Sequence, residues 1–252
     1  MFENKTVLIT GAASGIGLQA SRCFAHEGAN VFMVDINQER LSARCEEIRK
    51  DGGNIECRVA DVTQYEEVFQ CCKSAFDRFN SLDVTISCAG GSAARIKGLM
   101  ASDFIDVPID VYDWGIDLNF KHPFYLGYAA MRFMAQQKSG AIINIGSVTG
   151  EEGSAVSIDY SASKSGVMHG LTKSLAMAGA KYGIRVCCVS PGPVLTRKNM
   201  ADMPTLLQRA ADPQEIVDLI IFLASEKASF ITGTNYFIDG GRLVLRNKEG
   251  RK

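Results

Sequence analysis

Apolar residues fall along this chain in short unbroken runs, each followed by a turn and then by a segment with helical spacing. The runs at 6–10, 31–34, 55–60, 84–87, 141–145, 185–189 and 235–238 predict seven strands. Helical spacing follows at 18–28, 38–50, 63–79, 108–137, 158–180 and 213–224, with Gly28 and Gly52-Gly53 standing where two of these helices end. Pro108 suits a first helical turn, and Pro123 is expected to bend the long helix that contains it. Strands without polar alternation belong in a parallel sheet covered on both faces. Strand and helix alternate with no linker, repeat or low-complexity segment, which predicts one doubly wound α/β domain over 1–252. Two stretches break the pattern. Residues 92–107 read as a loop with short helical turns, and 197–212 as a flexible-looking segment.

Composition narrows the classes of function. Lys plus Arg number 27 against 28 Asp plus Glu, so there is no basic footprint for nucleic acid or a membrane surface. The basic tail residues Arg246, Lys248, Arg251 and Lys252 read as a solvated end. No apolar run reaches the ~18 residues of a membrane span. The first strand starts at Thr6, which leaves no room for a signal peptide, so a soluble, cytoplasmic protein is expected. Eight cysteines include two adjacent doublets and no CxxC pair. They read as buried free thiols, and no metal is expected.

The candidate chemistry centres on Ser147 to Lys164. Tyr160 follows Ser147 by thirteen residues and Lys164 follows Tyr160 by four, so on a helix the phenol and the ammonium share a face. A fixed cation beside a phenol favours the phenolate, which can exchange a proton with an alcohol or a ketone. A hydride carrier would complete a redox site. Gly11, Gly15 and Gly17 lie between the first strand and the first helix, where glycines admit a phosphate to a helix N-terminus. Read alone, this spacing equally makes a plain tight turn. Asp35 ends the second strand, where a carboxylate can accept from both ribose hydroxyls and repel a 2′-phosphate. Its neighbours Ile36 and Asn37 offer no cation, which points to NAD. Asp61-Val62 could face an adenine, although Asp35 and Asp61 could each simply cap a helix. Ala89-Gly90-Gly91 could let the backbone pass close to a cofactor or could form a turn.

Taken together, Thr10-Gly-Ala-Ala-Ser-Gly-Ile-Gly17, Asp35, Asp61-Val62, Ala89-Gly90, Asn119, Ser147, Tyr160-Ser-Ala-Ser-Lys164 and Pro191-Gly192 resemble the short-chain dehydrogenases/reductases, from about Lys5 to Gly241. The resemblance implies a Rossmann-type seven-stranded parallel sheet, with a cofactor half over 1–150 and a catalytic and substrate half over 140–252. It implies Tyr160 as general acid/base and Lys164 as the cation that favours its phenolate and binds the nicotinamide ribose. Ser147 would polarise the substrate oxygen, and Asn119 would link the lysine to solvent through a water. It places Gly11, Ser14, Gly15, Ile16, Gly17, Asp35, Ile36, Asp61, Val62, Cys88, Ala89, Gly90, Pro191, Gly192, Val194 and Thr196 beside the cofactor, with Thr196 at the carboxamide.

Two departures stand out. Cys88 replaces the family's usual asparagine, whose side chain supports the central sheet, and the 197–212 segment is short. The implied activity is NAD-dependent interconversion of a secondary alcohol and a ketone, on a sugar or polyol type of substrate. A hydroxysteroid, a 3-hydroxyacyl compound or a non-catalytic dinucleotide sensor is the alternative. Expected substrate walls are Thr149 to Gly153, residues 92–105, Trp114 and residues 193–207. They carry Met100, Phe104, Val194, Leu195, Met200, Met203 and Leu206 beside the cations Arg95, Lys97, Arg197 and Lys198. The family further implies a homotetramer packed through helices 108–137 and 158–180.

Overall fold

Every predicted strand forms, and all of them enter one sheet. In the computed structural model, which describes residues 1–197 and 200–245, the strands are β1 (Thr6–Thr10), β2 (Asn30–Asp35), β3 (Ile55–Val59), β4 (Val84–Ser87), β5 (Gly140–Ile145), β6 (Ile184–Pro191) and β7 (Thr234–Ile238). All neighbours are parallel, in the order β3-β2-β1-β4-β5-β6-β7. The pleat divides each apolar run between two cores. Val7 and Ile9 pack with Phe24, Leu41 and Ile220 on one face, while Leu8 packs with Leu126, Ala129 and Met134 on the other. This double burial explains why the strands do not alternate with polar residues. The fold is the expected Rossmann-type α/β domain.

The helices are α1 (Gly15–His26), α2 (Gln38–Lys50), α3 (Tyr65–Phe79), α4 (Ala93–Ile96), α5 (Ile109–Ile116), α6 (His122–Gln137), α7 (Thr149–Glu152), α8 (Ile158–Ser165), α9 (Thr172–Gly179) and α10 (Pro213–Ala224). The two long predicted helices each contain a wide turn. Asp117–Lys121 joins α5 to α6, and Gly166–Leu171 joins α8 to α9, both as π-helix. The break expected at Pro123 is therefore set by the turn before it, with Pro123 in the first turn of α6. A π turn frees backbone carbonyls, and here side chains take them up. Asn119 Nδ2 donates to the Gly115 carbonyl at 2.8 Å, and Thr172 Oγ1 donates to the Val167 carbonyl at 2.8 Å.

The 197–212 segment is anchored at its described residues. Val194 bridges Ala211, with Leu195 N–H donating to Ala211 O and Ala211 N–H to Pro193 O, each at 2.9 Å. Leu207 N–H reaches Gly240 O at 3.1 Å. Lys198 and the tail cations Arg246, Lys248, Arg251 and Lys252 lie outside the described residues. Where Cys88 replaces the asparagine, Thr10 Oγ1 ties the end of β4, donating to Ile86 O at 3.3 Å and accepting from Ala89 N–H at 3.4 Å.

The base of the loop ends in a capping box. Asp212 accepts from Gln214 N–H at 2.8 Å, and Glu215 accepts from Asp212 N–H at 2.9 Å. Asp212→Ala should cost about 1 kcal/mol and lower Tm by roughly 2–4 °C, without changing the far-ultraviolet circular dichroism at 20 °C. An unchanged Tm would remove the cap from the account of this segment.

Candidate functional site

The strand order reverses between β1 and β4, and the crevice outside the strand ends at such a point takes ligands in open α/β sheets. A cavity of about 640 Å³ opens there. At its edge lie Asp35, Ile36, Asp61 and Val62 from the ends of β2 and β3. The loop into α1 contributes Gly11, Ser14, Gly15, Ile16 and Gly17. Cys88, Ala89 and Gly90 follow β4, Ser147 follows β5, Tyr160 and Lys164 come from α8, and Pro191, Gly192, Val194 and Thr196 follow β6. Of the predicted site residues, Asn119 alone lies off the cavity wall, fully buried behind it.

The glycine loop fits a phosphate. Gly11 has φ +64°, and a Cβ there would sit 2.6 Å from Ala89 N; a Cβ on Gly17 would overlap the Gly11 carbonyl oxygen. The N-cap of α1, Ser14, makes no side-chain cap, and the first turn holds no acidic residue. The helix N-terminus therefore keeps free donors and an uncompensated positive end. Asp35 is fixed by two backbone amides, Oδ2 accepting from Ala13 N–H and Oδ1 from Asn37 N–H, both at 3.0 Å. Asp61 Oδ1 accepts from Thr63 N–H at 2.9 Å and Oγ1 at 2.7 Å. A nicotinamide dinucleotide fits this lining: a phosphate cradle in the middle, and a carboxylate where a ribose would end.

At the other end Lys164 is buried, and its Nζ donates to the Ile145 carbonyl at 2.6 Å. No carboxylate pairs with it among the described residues. The same ammonium lies 5.6 Å from the centre of the Tyr160 ring. Ser147 Oγ accepts from Thr149 N–H at 3.2 Å, which leaves its own proton to donate into the cavity. Asn119 holds the loop beside them. Its Oδ1 accepts from Gly91 N–H at 2.9 Å, and its Nδ2 donates to Gly91 O at 2.9 Å. The wide turn thus delivers a side chain that pins Gly91, with Lys164 Nζ 3.5 Å from where a Gly90 Cβ would stand.

The surrounding groups register the burial and the lysine. Burial, and then the charge of Lys164, hold His122 neutral down to about 3. Burial pushes the Cys88 thiol up to about 12 against the pull of Lys164. Neither group is poised to ionise at neutral pH.

The expected walls come together in part. Trp114, Arg95, Arg197, Val194 and Met200 line the cavity; Lys97, Met100, Phe104, Leu195, Met203, Leu206 and Thr149 to Gly153 do not. Arg40 was not expected, yet it reaches the cavity beside Asp35 and Ile36 from the first turn of α2. Its position one helical turn beyond the N-cap Asn37 is the signal that could have found it. Asp159 was also missed. Its carboxylate is buried against Gly115, and neither oxygen makes a hydrogen bond. Burial raises it, and the nearby amides of Tyr160 and Ala93 oppose the shift without reaching bonding geometry.

A raised carboxyl binds its proton more tightly in the folded chain than in the unfolded one. Asp159 thus withdraws stability as pH rises from its unfolded value, about 4. Asp159→Asn should gain a few degrees in Tm at pH 7.5, with the gain vanishing towards pH 4. A loss at pH 7.5 would show the charged carboxylate to be stabilised.

The chain matches the family model described as short chain dehydrogenase over residues 5–206. It is 33% identical to the 3-oxoacyl-(acyl-carrier-protein) reductase FabG of Thermotoga maritima, over 96% of this chain and 99% of that protein. It is 34% identical to an A-factor type gamma-butyrolactone 1'-reductase of Streptomyces virginiae, over 97% and 98% of the two chains. Among solved structures, a short-chain type dehydrogenase/reductase from Mycobacterium ulcerans superposes with a TM-score of 0.89 at 24% identity, covering 98% of this chain and 93% of that one.

Proposed function

The chain belongs to the short-chain dehydrogenase family, and we propose that it interconverts a secondary alcohol and a ketone with NAD, on a sugar or polyol type of substrate. One observation carries the chemistry: a buried ammonium with no counter-ion among the described residues stands beside the Tyr160 ring, at the end of a cavity that also holds a phosphate cradle. The glycine loop, Asp35 and Lys164 would hold the dinucleotide, which supplies or accepts the hydride when bound. In the oxidative direction Tyr160 takes the hydroxyl proton. Lys164 would set its positive charge beside the phenol that makes this transfer. Ser147 donates to the substrate oxygen and stabilises the charge that develops on it. Asn119 positions the Gly90-Gly91 backbone over which the reacting groups meet. In the reductive direction the proton returns from Tyr160 to the carbonyl oxygen.

Tyr160→Phe should lower kcat by about a hundred- to ten-thousand-fold while leaving the Kd for NADH within twofold. A panel of polyols, sugar acids, hydroxysteroids and 3-hydroxyacyl esters, followed by NADH formation, tests the substrate class. Turnover that survives in Tyr160→Phe would remove the phenol from its role.

The preference for NAD is supported by Asp35, a carboxylate on the cavity wall held by two backbone amides, which would repel a 2′-phosphate bound beside it. Arg40 stands on the same wall and is the group that would welcome that phosphate. The parent should therefore show a higher kcat/KM with NAD⁺ than with NADP⁺, and Asp35→Ala should raise NADP⁺ use more than tenfold. Equal use of both cofactors by the parent would overturn the preference.

We propose a homotetramer packed through α5–α6 and α8–α9. It is supported by Ile109, Tyr128 and Met177, which stand 73%, 50% and 81% exposed on these helices. Light scattering should give about four times the 27.3 kDa chain mass, and a monomer would refute the assembly. Among the described residues no helix is long and apolar enough to cross a membrane. The eight free thiols suit a reducing compartment, and we place the protein in the cytoplasm.

A further inference from the structure

Two guanidinium groups face the catalytic end of the cavity with no acid to neutralise them. Arg95, on α4, and Arg197, on the loop after β6, line the wall that also carries Tyr160 and Trp114. Neither forms an ion pair among the described residues. The Arg197 guanidinium meets the thioether of Met200 at 3.4 Å. The carboxylates of this cavity, Asp35 and Asp61, stand at its far end and are held by backbone amides. The chain also makes room for Arg95. Its Nη2 lies 2.6 Å from where a Cβ on residue 91 would be, so Gly91 leaves the space that the guanidinium fills. The two cations feel each other: after burial, the charge of Arg197 is the next cause that disfavours protonated Arg95. Like charges brought together at a cavity wall, against their repulsion and without a protein counter-ion, match the planar oxygens of a bound oxyanion.

We infer that Arg95 and Arg197 hold an oxyanion of the substrate, a carboxylate or a phosphate carried by the same molecule as the reacting alcohol. This rests on the oxidoreductase reading and narrows it: within the sugar or polyol type, the substrate is a sugar acid or a phosphorylated polyol, because a neutral polyol or sterol lacks the group that the pair would hold. The pair also gives a direction to the bound molecule, since the anion lies towards the arginines while the carbinol faces Tyr160 and Ser147.

Trp114 is the only tryptophan of the chain and lines the same cavity, so its fluorescence reports occupancy without turnover. The full-length protein is titrated with acetoacetate, with dihydroxyacetone phosphate and with neutral acetoacetamide, both free and loaded with NADH. Saturable changes are expected with at least one anion, at least tenfold tighter than with acetoacetamide and weakened by added sodium chloride. Acetoacetate carries only a carboxylate and dihydroxyacetone phosphate only a phosphate, so whichever binds more tightly identifies the oxyanion. Arg95→Gln and Arg197→Gln, both on exposed side chains, should keep the parent Tm and each lose at least tenfold in anion affinity. Anion affinity equal to that of acetoacetamide, or within twofold of the parent in both variants, overturns the inference. So does a matching loss of NADH affinity in both variants, which would assign the guanidiniums to the cofactor's phosphates. If NADH itself does not bind, the oxidoreductase reading fails, while the titration of the unloaded protein still decides whether the pair holds an anion.

Discussion

The buried ammonium of Lys164 is the constraint around which the rest of this molecule is arranged. An isolated charge in a protein interior is costly unless something replaces its lost water. Here one strong donation to the Ile145 carbonyl meets part of that need, and no carboxylate among the described residues cancels the charge. The lysine makes this bond by reaching from α8 to the last residue of β5. The uncancelled charge then acts on its surroundings. It adds to the burial that keeps His122 neutral. A carboxylate at the same place would neutralise the lysine and end that influence.

The wide turns belong to the same economy of polar groups. A straight α-helix over 109–137 would close each carbonyl on the amide four residues on. The π turn at Asp117–Lys121 breaks that pattern and lets Asn119 bond both Gly115 and Gly91. One side chain therefore repairs the helix and fixes the loop after β4. The second turn, at Gly166–Leu171, follows Lys164 directly, and Thr172 repairs it while accepting from Asn144 on β5 at 3.1 Å. Both irregular turns thus end in contacts to the strand ends and loop that carry the site, which is where π turns gather in proteins generally.

Most of the sheet was legible because its signal is redundant: seven apolar runs, seven turns, and glycines or aspartates at their ends. Element bounds moved by two residues or fewer at most strands, as for β6, which runs from Ile184 to Pro191. The π turns were not legible. A single wide turn shifts the apolar face by a fraction of a helical turn and leaves the count of buried positions almost unchanged, so Pro123 drew the attention that Asp117–Lys121 deserved. The wall residues divide in the same way. Tyr160 and Lys164 sit on a regular helix, where spacing translates directly into a shared face. Asp159 depends on how neighbouring elements are set against each other, and no local period encodes that. Lys97 illustrates the converse: it belongs to the expected basic wall, yet its ammonium rests 4.5 Å over the Trp114 ring and it does not line the cavity.

The charges of the cavity are ordered along its length, and that order is itself a recognition device. Asp35 and Asp61 bring two carboxylates to one end, with the cation Arg40 beside them, which suits hydroxyl groups that can donate. The uncapped N-terminus of α1 makes the middle receptive to anions. Lys164, Arg95 and Arg197 make the far end cationic. A molecule whose ends differ in charge can enter such a cavity in one orientation without placing like against like. The net charge of the chain is close to zero, so this gradient owes nothing to an overall excess of either sign. It comes from the topology, because a parallel sheet brings the ends of all its strands, and the loops that follow them, to one edge. Residues far apart in sequence thereby share one wall.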